Sequence, residues 1–196
     1  VPAGRVPMPP VVIENPILNS PFEEPRRHWR FDDENQITNE VAEERRPSSY
    51  FVPIPAPKKA GKQVLFDNAY AGERQFESDH VNRIRAQVRK WRALGWPDTT
   101  PVTLFLLRHW TDPARDRRLF FCQVEALETL IFVTEVAKQT KYGEEWIDGH
   151  LRKVAAEAGT GDLFRLACKM ATGSGKTVVM SMLIAWQVLN KRRNPK

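Results

Sequence analysis

Between an apolar run at residues 163–170 and a second at 178–189 lies the sequence Ala171-Thr172-Gly173-Ser174-Gly175-Lys176-Thr177. Two glycines one residue apart, then a lysine and a β-branched hydroxyl, describe a turn whose backbone takes positive φ and approaches something closely. The run at 163–169 predicts a strand and the run after the turn a helix, so the chain must pass from sheet to helix through this loop. That order of elements is a phosphate-binding loop. Gly173 and Gly175 let backbone N–H groups converge on phosphate oxygens, and Lys176 reaches the β- and γ-phosphates. Thr177 offers its hydroxyl to Mg²⁺, while the positive end of the following helix faces the same anions. Ala171, Thr172, Ser174 and Val178 complete the cradle. ATP and Mg²⁺ are the expected cofactors, with Lys176 and Thr177 as the catalytic residues and Thr177 as the metal-side residue. A chance Gly-Ser turn beside a lysine would account for neither the flanking runs nor all four functional positions. The strict pattern places glycine at position 170, where this chain has Met170.

The chain starts at Val1 and stops one helix past the loop, which reads as a fragment. A doubly wound sheet needs several βαβ units, and only the opening strand and helix are visible, so the expected fold class is α/β with an incomplete sheet. Thirty Lys and Arg against 24 Asp and Glu give a formal charge of +6, which favours polyanionic partners without requiring them. Cys122 and Cys168 both sit in apolar runs and read as buried, reduced thiols, hence an intracellular, cytoplasmic protein. The stretch 178–189 is too short to span a bilayer and is interrupted by Ser181 and Gln187, so no membrane is expected.

Proline breaks every long helix in residues 1–62, yet Phe22, Trp29, Phe31 and the run Tyr50-Phe51-Val52-Pro53-Ile54 are too sticky for a solvated tail. Residues 1–75 therefore read as an extended docking arm, partly in edge strands, with a connector at 58–72 carrying turns at Asp67-Asn68 and Ala71-Gly72. Residues 76–119 read as a small helical accessory region. Val81, Ile84, Val88, Trp91 and Leu94 recur at helical spacing, capped by Ser78 and ended by Gly95 and Pro97. Arg83, Arg85, Arg89, Lys90 and Arg92 form a basic strip on its other side, either a solvated face or a nucleic-acid contact. Residues 103–110 are apolar enough for a short helix or a buried strand, and Thr103 as a cap favours the helix. Residues 120–196 are the beginning of the ATPase domain, with amphipathic helices at 123–138 and 144–158 before the strand. Asp32, Asp33 and Glu34 read as a solvated turn, and His28, His80, His109 and His150 lack ligand-like spacing.

Phe120-Phe121-Cys122-Gln123 precedes a helix leading towards the loop. It resembles the adenine-binding element of superfamily 2 motors, in which a glutamine amide, both donor and acceptor, reads the base edge beside a stacked ring. Gln123 is the adenine-reading candidate and Phe121 or Phe120 the stacking one, with the 144–158 helix as an insertion before Lys176. The Met-Ala-Thr-Gly start of the loop is also similar to type I and type III restriction motors. Together with Asn19-Ser20-Pro21-Phe22-Glu23-Glu24-Pro25, Arg45-Arg46-Pro47-Ser48-Ser49-Tyr50 and Leu107-Arg108-His109-Trp110, these stretches resemble the N-terminal region of bacterial DEAD/DEAH-type helicases of the type III restriction Res-subunit family. The resemblance implies a RecA-like P-loop NTPase domain closing on ATP with a second one, duplex DNA as partner, a nuclease domain further along, and a methyltransferase subunit in a phage-defence system. The carboxylates and arginines that hydrolysis needs are expected outside this chain, so the fragment alone should turn over little ATP. Two other readings keep less: a P-loop switch or kinase without motor activity, and an inert fragment whose residues 1–120 dock or bind DNA.

Overall fold

The computed structural model describes residues 15–32, 37–55, 70–140, 143, 150–157, 159 and 166–193. Asp33, Glu34, residues 58–69 of the connector with Asp67-Asn68, residues 144–149 of the expected third helix, and residues 163–165 of the expected strand lie outside the described residues, whereas Ala71-Gly72, expected as a turn, belong to a strand over Tyr70–Glu77. By backbone contact the chain divides into two units, Val1–Arg46 and Pro47–Lys196.

In the first unit, β1 (His28–Phe31) pairs antiparallel with β2 (Ile37–Ala42), with a bulge between Trp29 and Phe31. Asn19 organises the chain ahead of β1: its Oδ1 accepts from the N–H groups of Arg26 and Arg27, and its Nδ2 donates to the Arg27 carbonyl. Glu24 and Arg45 close the unit with a 2.9 Å ion pair, and the Arg46 guanidinium lies over the Phe31 ring.

In the second unit, β3 (Ser49–Pro55) pairs antiparallel with β4 (Tyr70–Glu77), and the cross-strand pair Tyr50 and Phe76 stacks at 5.7 Å. Pro53 and Pro55 lack an N–H and are tolerated because a two-stranded sheet has only edge strands. Asn82 ties this ribbon to the helices, its Oδ1 accepting from the Ser48 N–H at 2.8 Å.

Helix α1 (Asp79–Ala93) follows the predicted spacing through Ile84, Val88 and Trp91, which are buried, while Val81 and Leu94 at the two ends of the expected face are exposed. Ser78 occupies the cap position without a side-chain cap bond; its backbone N–H goes to the Ser48 carbonyl instead. The far end closes as expected at Gly95, whose φ of +78° lets Gly95 N–H reach the Arg92 carbonyl and Trp96 N–H reach the Trp91 carbonyl. Helix α2 (Pro101–Thr111) starts earlier than the sequence suggests. The cap is Thr100, whose hydroxyl accepts from the Thr103 N–H, with Pro101 in the first turn. Thr103 itself is fully buried, because it faces other helices rather than solvent.

Helix α3 (Phe121–Ile131) runs into a π turn at Phe132–Val136 and a 3₁₀ turn at Ala137–Gln139, covering the expected 123–138 segment with a changed register. The Thr134 hydroxyl donates to the Leu130 carbonyl at 2.6 Å. Helix α4 (Arg152–Glu157) is short, and α5 (Lys176–Arg193) is the long helix after the loop. One core joins α1, α2, α3, the π turn and α5 through Val88, Trp91, Leu107, Leu127, Ile131, Val133, Val179 and Trp186. Each such side chain removed from water contributes about 1.5–3 kcal/mol before conformational entropy is counted.

The observed class is mixed α/β, with two antiparallel two-stranded sheets and five α-helices among the described residues. Residues 166–170, the described part of the expected strand, form no ladder. Strand geometry is held by inter-strand hydrogen bonds, and no described residue pairs with this segment. Among the described residues no helix is long and apolar enough to cross a membrane.

Candidate functional site

Residues 171–175 turn without regular structure into the first residue of α5. Gly173 and Gly175 both adopt the left-handed region, at φ +79° and +80°. The two differ in what surrounds them. A Cβ on Gly173 would meet nothing, whereas one on Gly175 would fall 2.1 Å from the Gln123 amide nitrogen. The turn is drawn together by Ser174, whose Oγ donates to the Ala171 carbonyl at 2.6 Å. Lys176 folds back over it, its Nζ donating to the carbonyls of Met170 and Ala171, each at 2.9 Å. Two of its three ammonium protons are thereby engaged, leaving one for an anion. Ala171, Thr172, Gly173, Lys176, Thr177 and Val178 are exposed, and Ser174 and Gly175 are partly so. In the first turn of α5 the N–H groups of Val178 and Val179 go to the Gly175 carbonyl at 3.0 and 3.3 Å, the helix supplies no acceptor to those of Lys176 and Thr177, and the dipole of an 18-residue helix adds positive potential at the same place.

Gln123 lies beside this loop, only 6% exposed. Its Oε1 accepts from the Phe120 N–H at 2.9 Å, closing the first turn of α3, and its Nε2 donates to the Ser174 carbonyl at 3.0 Å. This is half of a capping box, because the Phe120 ring has no acceptor to supply the other half. The phosphate loop and the candidate adenine-reading residue are thus brought together, by a bond through the protein. Phe121 is half-buried, with the Arg92 guanidinium 5.0 Å from its ring centroid, and Phe120 is exposed.

The sequence reading missed what stands behind Phe121. Glu128 is completely buried and accepts from Arg92 Nε at 2.8 and 3.0 Å, from Arg92 Nη2 at 2.5 Å and from the Trp96 indole at 2.8 Å. Burial pushes the Glu128 carboxyl above its ordinary range; Arg92 and Trp96 pull it back, and Glu125 adds a small push upward. Arg92 therefore leaves the expected basic strip, because a buried carboxylate claims its charge. The legible signal was an acid placed four residues after Val124 and three before Ile131, on the apolar side of a helix. A second polar network escaped notice: Thr103 Oγ1 donates to Glu135 and receives the Trp186 indole and Asn190 amide protons, tying α2 and the π turn to α5.

A cavity of about 580 Å³ adjoins the loop, with Met170, Ala171 and Ser174 in its wall opposite Cys122, Glu125 and Ala126. Cys122 and Cys168 both line it and both are exposed, contrary to the buried thiols expected from their apolar runs. The runs are apolar, but these two positions face the cavity rather than the core. Partial burial still raises the Cys168 thiol above its ordinary value. His80 and His150 stack with centroids 3.7 Å apart, and no group of three or more candidate metal ligands occurs among the described residues. Comparison with known protein families, curated proteins and solved structures returned no match.

Proposed function

We propose that residues 170–178 bind ATP with Mg²⁺ and that the chain opens the RecA-like motor domain of an ATP-dependent DNA helicase or translocase of a restriction or phage-defence system. The observation that carries this reading is the loop itself: two left-handed glycines, a lysine folded over loop carbonyls, and an exposed threonine at the mouth of an 18-residue helix. The residues fit the group. Lys176 would exchange its carbonyl contacts for phosphate oxygens, Thr177 would offer its hydroxyl to the metal, and the N–H groups of residues 173–177 would close on the β-phosphate. Bound Mg²⁺ supplies charge that offsets the γ-phosphate.

A second reading, a P-loop switch or kinase without motor activity, gains from the Gln123 amide, which is engaged at both ends by protein groups. A fluorescent ATP analogue titrated into the chain with Mg²⁺ tests the shared part. Binding by the native chain and its loss in Lys176→Ala is expected; equal binding by both would overturn the loop assignment. Duplex DNA added to the intact protein then separates the two readings. Several-fold stimulation of hydrolysis supports the motor, and an unchanged rate the switch or kinase.

A further inference from the structure

Helix α5 carries a different surface at its other end, roughly 25 Å from the loop by helix rise. Its last turn holds Lys191, Arg192 and Arg193. Arg192 and Arg193, with Leu189, form one wall of a groove of about 400 Å³ whose other wall is Val102 and Phe105 of α2. Among the described residues no carboxylate lines it. Phe105 is 68% exposed, and His109, one turn further along α2, stacks parallel to it with centroids 6.2 Å apart. The walls cannot drift apart freely. Asn190 Oδ1 accepts from the Thr100 hydroxyl at 2.6 Å, and the Trp186 indole donates to Thr103 at 2.8 Å, so α2 and the end of α5 are pinned next to the groove.

The helix dipole accounts for cations in a last turn, but not for a large ring held in water opposite them. An exposed aromatic face beside paired guanidinium groups is the arrangement that binds unpaired nucleotides, the ring stacking on a base and the arginines holding the flanking phosphates. A duplex keeps its bases stacked on one another and presents none to such a ring. We propose that the groove between Phe105 and Arg192/Arg193 is a contact site for single-stranded nucleic acid, distinct from the basic strip on α1. It shares with the proposed function only the expectation of a nucleic-acid partner and does not require the phosphate loop.

The test is fluorescence anisotropy of a labelled oligothymidylate of about 12 nucleotides, a length within the site sizes such surfaces cover, titrated with the whole chain. Phe105→Ala, an exposed position, should weaken binding at least about fivefold. Arg192→Ala with Arg193→Ala should lower the slope of log affinity against log salt by about 1.4, at about 0.7 per phosphate contact. The Lys176→Ala chain should bind the oligonucleotide as the native chain does, which keeps this result separate from the fate of the ATP assignment. The proposal is overturned by native affinity in Phe105→Ala, by loss of binding only when Arg83, Arg89 and Lys90 are replaced, by a preference for the duplex, or by competition from polyglutamate that is equally effective against the native and Phe105→Ala chains. Absence of binding at about 50 mM salt, where phosphate contacts are strongest, overturns it as well.

Discussion

Removing the Arg92 side chain isolates one buried charge, the Glu128 carboxylate. Arg92 is partly shielded, with 23% of its side chain exposed, and Glu128 has none exposed. In Arg92→Ala the carboxylate keeps only the Trp96 indole proton at 2.8 Å. Stranding one member of a buried pair destabilises by about 3–5 kcal/mol, which for a chain of this size lowers Tm by roughly 6–20 °C. The sign of the pH dependence follows from Glu128. Its folded pKa already lies above the ordinary 4.5 because of burial, and Arg92 is the main influence holding it down. Without Arg92 the folded value rises further, so the unfolded state releases its proton first as pH increases. Stability of the variant relative to the native chain is therefore greatest in acid, and it declines as pH rises through the raised folded pKa. Urea unfolding followed by tryptophan fluorescence at about pH 5 and about pH 8 measures both values. A deficit below about 1 kcal/mol at the higher pH, or the same deficit at both, refutes the argument. Arg92→Met combined with Glu128→Leu should recover most of the loss, because an apolar pair carries no charge to desolvate, leaving only the Trp96 N–H unmatched at about 1–3 kcal/mol.

Two further outcomes are expected. Gly175→Ala should abolish binding of the fluorescent ATP analogue, since its methyl would overlap the Gln123 amide at 2.1 Å, while Gly173→Ala, with open space around it, should cost only about 1–2 kcal/mol for its left-handed backbone; equal effects would remove Gln123 from the account of the loop. Iodoacetamide should label both cysteines in the native chain, with the Cys168 rate still climbing beyond about pH 9 because its thiol is raised by burial; a plateau below that pH would contradict the assignment.

The loop was readable from the chain because its geometry follows from residue type. Glycines at 173 and 175 allow positive φ, and a lysine at the first position of a helix has only the loop to lie across. α1 was equally plain, since Ile84, Val88 and Trp91 repeat at helical spacing and Gly95 ends the run. What stayed hidden depends on partners distant in sequence. Thr103 looked like a cap because its neighbours are apolar, yet Thr100 takes that role and Thr103 faces Glu135, Trp186 and Asn190, between 32 and 87 residues away. Glu135 reaches it through a π turn, and no periodicity marks a single wide turn in advance. Gln123 was singled out for a ligand; its position next to the loop was foreseeable, but the bond it forms there was not. The thiols misled because apolar neighbours in sequence do not say which way a side chain points.

Gln123 has a mechanical implication. One amide splices the opening turn of α3 to the carbonyl of Ser174, so an outward swing of the loop at that residue costs this bond, about 0.5–1.5 kcal/mol. α3 in turn anchors Leu127 and Ile131 in the interior. Displacing Ser174 would therefore leave the Gln123 amide without its loop acceptor at a position only 6% exposed, next to the helix that carries those two core side chains.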